Sequence, residues 1–71
     1  MSNFSNRHPA VAGKEKYFEY DHLPAHLQLV SKVFADAAEQ LLELVPADND
    51  QLTLGLQKLI EAKDCFVRAR L

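Results

Sequence analysis

Pro46-Ala47-Asp48-Asn49-Asp50 separates two long apolar-periodic stretches, and its reading decides the fold. Proline does not continue a helix, whereas the Asp/Asn cluster behind it suits a new helix start. Asp48, followed three positions later by Gln51, predicts a capping box, with Asp50 as the competing cap. Upstream, Pro24 suits the first turn of a helix that runs to about Val45. Within it Leu23, Leu27, Val30, Phe34, Ala37, Leu41 and Leu44 recur at spacings of four and three, which predicts one buried stripe of coiled-coil character. Downstream, a helix from about Asn49 to Leu71 repeats that spacing in Leu52, Gly55, Leu59, Ala62, Phe66 and Ala69. Gly55 and Ala62 are small enough to let two helices approach closely. The expected fold class is all-α, an antiparallel two-helix hairpin with a short N-terminal arm.

A second stripe on the later helix, Leu56, Ile60, Val67 and Leu71, is interrupted by Lys63. One partner helix does not cover both stripes. Burying a large aliphatic side chain is worth roughly 1.5–3 kcal/mol, so another copy of the hairpin is the expected cover. Length points the same way, because 71 residues lie near the lower limit for a core without reinforcement. The single cysteine, Cys65, makes no intrachain disulfide, and no Cys/His pattern predicts structural zinc. Self-assembly into a homo-oligomer is therefore expected.

Residues 1–13 are rich in Ser, Asn, Pro and small residues without apolar period, so they read as a flexible arm, and residues 14–71 as the hairpin domain. The chain is 48% hydrophobic and 25% charged, the mixture of a folded chain, with a net charge of −2. Without a basic block, duplex nucleic acid and anionic membranes are poor partners. No stretch approaches a spanning helix and no leader-like apolar run opens the chain, so a cytoplasmic location is expected.

No catalytic constellation, Gly-rich phosphate loop or metal motif is present, and neither an enzyme nor a cofactor is expected. His22 and His26 stand four apart, but Pro24 lies between them and no third ligand follows, so they read as ordinary polar or capping residues. Lone Cys65 reads as packing. More informative is Lys14 to Leu23, where Tyr17, Phe18 and Tyr20 sit beside Lys14 and Lys16. Aromatic faces stack on bases and cations neutralise phosphate, which is the minimum equipment for holding a nucleotide. The competing reading is that these rings fasten the arm to the helices. Lys63 and Arg68 lie in or beside an apolar stripe, where a cation wants an anion.

Phe18-x-Tyr20 followed by Leu23, the first-helix stripe, the Pro46-Ala47-Asp48 break and Leu56-Gln57-Lys58-Leu59-Ile60-Glu61-Ala62 together resemble a family of small phage proteins. Those helical-hairpin sponges sequester cyclic oligonucleotide signals and so disarm bacterial CBASS or Thoeris immunity. The resemblance spans about residues 18–70. It implies a homohexamer of interlocked hairpins that holds a cyclic di- or trinucleotide without turnover, in the cytoplasm of an infected bacterium. It also implies a tyrosine stacking on a base, matched by Tyr20, and a first-helix lysine on the phosphates. The aligned slot for that lysine falls near Phe34, with Lys32 the nearest cation. A C-terminal arginine that serves cyclic trinucleotides is matched by Arg68 or Arg70. The expected binding set is thus Phe18, Tyr20, Lys32, Phe34, Lys63, Arg68 and Arg70. An asparagine of the related hairpins is replaced near Val67, which leaves the ligand's identity open. The rival reading is a small helical adaptor that grips a protein partner by helix packing.

Overall fold

The computed structural model describes residues 2–71, leaving Met1 of the N-terminal arm outside the described residues. The protein is all-α, and among the described residues there is no strand. Its elements are α1 (Pro9–Ala12), a 3-10 turn (Glu15–Phe18), α2 (Ala25–Leu44) and α3 (Asp50–Arg70). No helix among the described residues is long and apolar enough to cross a membrane.

α2 starts where Pro24 allows it: the Pro24 carbonyl accepts from the Leu27 and Gln28 amides at 2.9 and 3.0 Å. Gln28 reaches back to the Leu23 carbonyl at 2.8 Å, fixing the angle at which the chain arrives. At the break, neither Asp48 nor Asp50 caps α3. Asn49 does, its side-chain oxygen accepting from the Leu52 amide at 2.9 Å. Asp48 is engaged elsewhere. Its carboxylate accepts from Arg7 Nε at 2.6 Å and from the His8 amide at 2.8 Å, while Arg7 also donates to the Leu42 and Val45 carbonyls at 3.1 and 3.0 Å. One carbonyl of the last turn of α2, Leu42, and that of its C-cap, Val45, are thus satisfied by an arginine from the chain start.

That contact is part of a larger departure from the sequence reading. Residues 2–13, read as an arm, lie against the hairpin and supply two core side chains, Phe4 (2% exposed) and Val11. Asn3 donates from its amide to Glu39 Oε2 at 2.6 Å and from its side chain to the Glu39 carbonyl at 2.8 Å. Asn6 turns the segment with φ 64°, a left-handed conformation that asparagine tolerates. Phe4 packs on Phe18 with ring centroids 5.9 Å apart.

The core consequently centres on the stripe adjoining the expected one. Leu56 and Ile60, read as lacking intrachain cover, are 2% and 5% exposed beneath Phe4, Val11 and Phe18. α2 contributes Ala38 and Leu42 to the same cluster. The stripe that was expected to be buried is covered only in part: Leu27 and Leu52 are buried and Phe34 and Leu59 pack against the core, while Leu41 and Leu44 are exposed on α2, as are Gly55 and Phe66 on α3. Excess apolar surface exists as the sequence implies, but the N-terminal segment has claimed the Leu56 and Ile60 side.

Replacing Phe4 with alanine removes a fully covered ring, and we expect a loss of about 3–5 kcal/mol in chemical denaturation. Ser31 is fully buried and its hydroxyl has no partner among the described residues. Such a group costs about 1–3 kcal/mol, so Ser31→Ala should raise the denaturation midpoint. The Asp48 carboxyl is held below its ordinary value of 3.8, chiefly by the His8 amide and next by Arg7. A depressed carboxyl stabilises the fold above its unfolded pKa and loses that contribution as pH falls through the folded value. Asp48→Asn should therefore melt below wild type at neutral pH, with the difference shrinking as pH drops below 3.8.

Candidate functional site

Lys63, which interrupts the apolar stripe of α3, fastens the 3-10 turn to that helix. Its ammonium donates to the Tyr17 carbonyl at 2.6 Å and lies 3.1 Å from the Asp64 carboxylate, with its side chain 14% exposed. A cation so covered is held by these two partners. It also fixes the backbone that carries the Tyr17 ring. Phe18, the next residue, points into the core, which turns Tyr17 outward and leaves it 49% exposed.

Around this junction lies a cleft of about 350 Å³ lined by Lys16, Tyr17, His22, Lys63 and Arg68, together with Glu19, Asp64 and the apolar Leu23 and Val67. Lys16 Nζ stands 5.2 Å from the Tyr17 ring centroid, within cation–π range. Arg68 Nη2 is 3.5 Å from Cys65 Sγ. Three permanent cations (Lys16, Lys63, Arg68) face two carboxylates (Glu19, Asp64), leaving the cleft with a net charge of +1 while His22 is neutral. The result is an exposed aromatic face flanked by positive charge.

Tyr20 stands in different surroundings. It lines a separate cleft of about 280 Å³ with Glu15, Glu19, Asp21, Asp36 and Glu39, five carboxylates and no cation. An anion placed there meets repulsion. Lys32 is bound to Asp36 at 2.7 Å, and its pKa is raised first by that hydrogen bond, then by the attraction of the Asp36 charge, with a further upward contribution from Tyr20. Phe18 is a core side chain stacked near Phe4. Phe34 packs beside the core with its ring 5.6 Å from that of Phe66. Arg70 is exposed on the last turn of α3.

Of the seven residues expected to bind, the structure brings Lys63 and Arg68 together in one cleft and sets Phe18, Tyr20, Lys32 and Phe34 apart from it. The sequence reading did not assign Lys16, Tyr17 or His22 to a site. Lys16 and Tyr17 belong to the aromatic-basic segment it singled out, but alternation about Phe18 was needed to choose between the two tyrosines. His22 lines the cleft and His26 is exposed elsewhere on the first turn of α2. Among the described residues there is no group of three or more His, Cys, Asp or Glu fit to hold a metal ion.

Chemically, the cleft is equipped to stack a planar ring on Tyr17 and to neutralise a phosphate with Arg68, Lys16 and the edge of Lys63. No protein-family model, curated protein or solved structure matches the chain, so the geometry of this cleft carries the functional reading.

Proposed function

We propose that the protein is a non-catalytic sponge for a cyclic oligonucleotide signal, working as a homo-oligomer, hexameric by the resemblance, in which neighbouring chains complete each ligand site. One observation carries the reading: a half-exposed tyrosine ring, Tyr17, is fixed beside three cations in a cleft of about 350 Å³. Base–aromatic stacking and phosphate neutralisation are the two interactions that hold a nucleotide without regard to turnover. A sponge lowers the free concentration of its ligand by affinity and copy number, so intact release is part of the proposal. Tyr17 takes the base, Arg68 and Lys16 take phosphate, and Lys63 keeps Tyr17 in place. Tyr20 and Lys32 are the alternative stacking and phosphate pair, and they enter the same test.

Native mass spectrometry with a panel of cyclic di- and trinucleotides should show a mass increment on the assembled protein, and denaturation should return the nucleotide chemically unchanged. In calorimetry, Tyr17→Ala should weaken binding by about 1–3 kcal/mol, the usual worth of a base–aromatic stack, with the melting temperature little altered. Arg68→Ala should weaken binding and flatten its salt dependence. Loss of binding in Tyr20→Ala and Lys32→Ala instead would move the site to the acidic cleft. No bound nucleotide at all, or a hydrolysed product, would overturn the sponge; the first result would favour the helical adaptor.

A further inference from the structure

The charged groups of the Tyr17 cleft do not pair off completely. Lys63 and Asp64 stand 3.1 Å apart and neutralise each other. That leaves Lys16 and Arg68 for an anion, and one carboxylate, Glu19, that takes part in no ion pair among the described residues. A site for phosphate alone has no use for a bare carboxylate, which repels the anion beside it. An ionised carboxylate is acceptor-only, so Glu19 suits a ligand that brings hydrogen-bond donors as well as phosphate.

The fold places Glu19 beside the stacking ring. Phe18 is buried at 4% exposure, and the two residues that flank it, Tyr17 and Glu19, are both exposed and line the same cleft. Glu19 also lines the acidic cleft around Tyr20, whereas Arg68 stands on α3. The Tyr17 cleft is therefore polarised, with a carboxylate on the edge it shares with the acidic cleft and a cation on the α3 side. A ligand that fits this field is itself polarised, with donors at one end and phosphate at the other.

Stacking on Tyr17 does not choose among bases, because every base has a π-face. The edge presented to Glu19 does. Guanine offers two adjacent donors, N1–H and the 2-amino group, which a carboxylate accepts as a parallel pair. Adenine and cytosine offer one amino group beside a ring nitrogen with a lone pair, and uracil one N–H between two carbonyl oxygens. Each of those edges sets an acceptor against the carboxylate and leaves part of it unpaired.

We infer that Glu19 makes the Tyr17 cleft selective for guanine nucleotides, by accepting both donors of the guanine Watson–Crick edge while Arg68 and Lys16 meet the phosphate. The inference rests on the proposed nucleotide site and names its base.

Calorimetric titration of the full chain with three cyclic dinucleotides tests it: cyclic di-GMP, cyclic di-AMP and cyclic di-IMP, whose hypoxanthine keeps N1–H and lacks the 2-amino group. Cyclic di-GMP should bind about 5- to 100-fold more tightly than cyclic di-AMP, the range for one good bidentate base contact, with cyclic di-IMP between them. Glu19→Gln removes the charge and one acceptor from an exposed side chain. Its helical circular dichroism should match wild type, most of the guanine preference should be lost, and cyclic di-AMP should bind at least as well as before. Glu15→Gln, which alters the acidic cleft alone, should leave the preference unchanged. Equal affinities, an adenine preference, or a guanine preference that survives Glu19→Gln overturns the assignment and leaves the sponge standing. Failure of cyclic di-GMP to bind overturns it too, and the sponge falls with it only when the wider panel of di- and trinucleotides also fails to bind.

Discussion

The seating of Phe4, Val11 and Phe18 over Leu56 and Ile60 is the contact on which the rest of the structure depends. A bare hairpin of α2 and α3 would centre its core between the helices and leave α3 uncovered on one side. Here a third layer, made of residues 2–18, claims that side and shifts the core toward it. Everything else follows from the shift. The helix stripes that face away from the third layer stay partly open, the 3-10 turn is pinned to α3 through Lys63, and Tyr17 is turned outward because its neighbour Phe18 is turned in.

Much of this architecture is legible in the residues. Pro24 and Pro46 bound the first long helix, and the 3–4 spacing identifies both helices as amphipathic. What period alone does not decide is which of two adjoining stripes is the core. The deciding residues, Phe4 and Val11, lie in a segment without period, where a single phenylalanine among Ser and Asn gives no directional signal. The cap shows a similar limit, for three consecutive residues of capping type compete, and in the fold Asn49 caps α3 while Asp48 is held by Arg7. At the site, Lys63 was visible as a cation inside an apolar stripe. The different surroundings of Tyr17 and Tyr20 were not, because they depend on which ring the third layer buries and on the carboxylates that α2 places around Tyr20.

Charge divides the lead-in segment into two environments within a few residues. Tyr17 lies among cations and Tyr20 among carboxylates, although the two rings are three positions apart and chemically identical. Aromatic character alone is therefore not the discriminating property of this segment. The field supplied by the packed helices is, with α3 contributing Lys63 and Arg68 to one side, and α2 contributing Asp36 and Glu39 to the other.

The ties that hold the third layer down span more than half of the chain: Arg7 meets Asp48 at a separation of 41 residues, and Lys63 meets Tyr17 at 46. A plain helical hairpin folds through contacts close in sequence, and rapidly. Clasps of this reach require large loops to close before they contribute, so contact order rises and the folding barrier with it. In the folded chain the cover of Leu56 and Ile60 is thus supplied from the far end of the sequence, and any local opening of residues 2–18 would bare that side of α3.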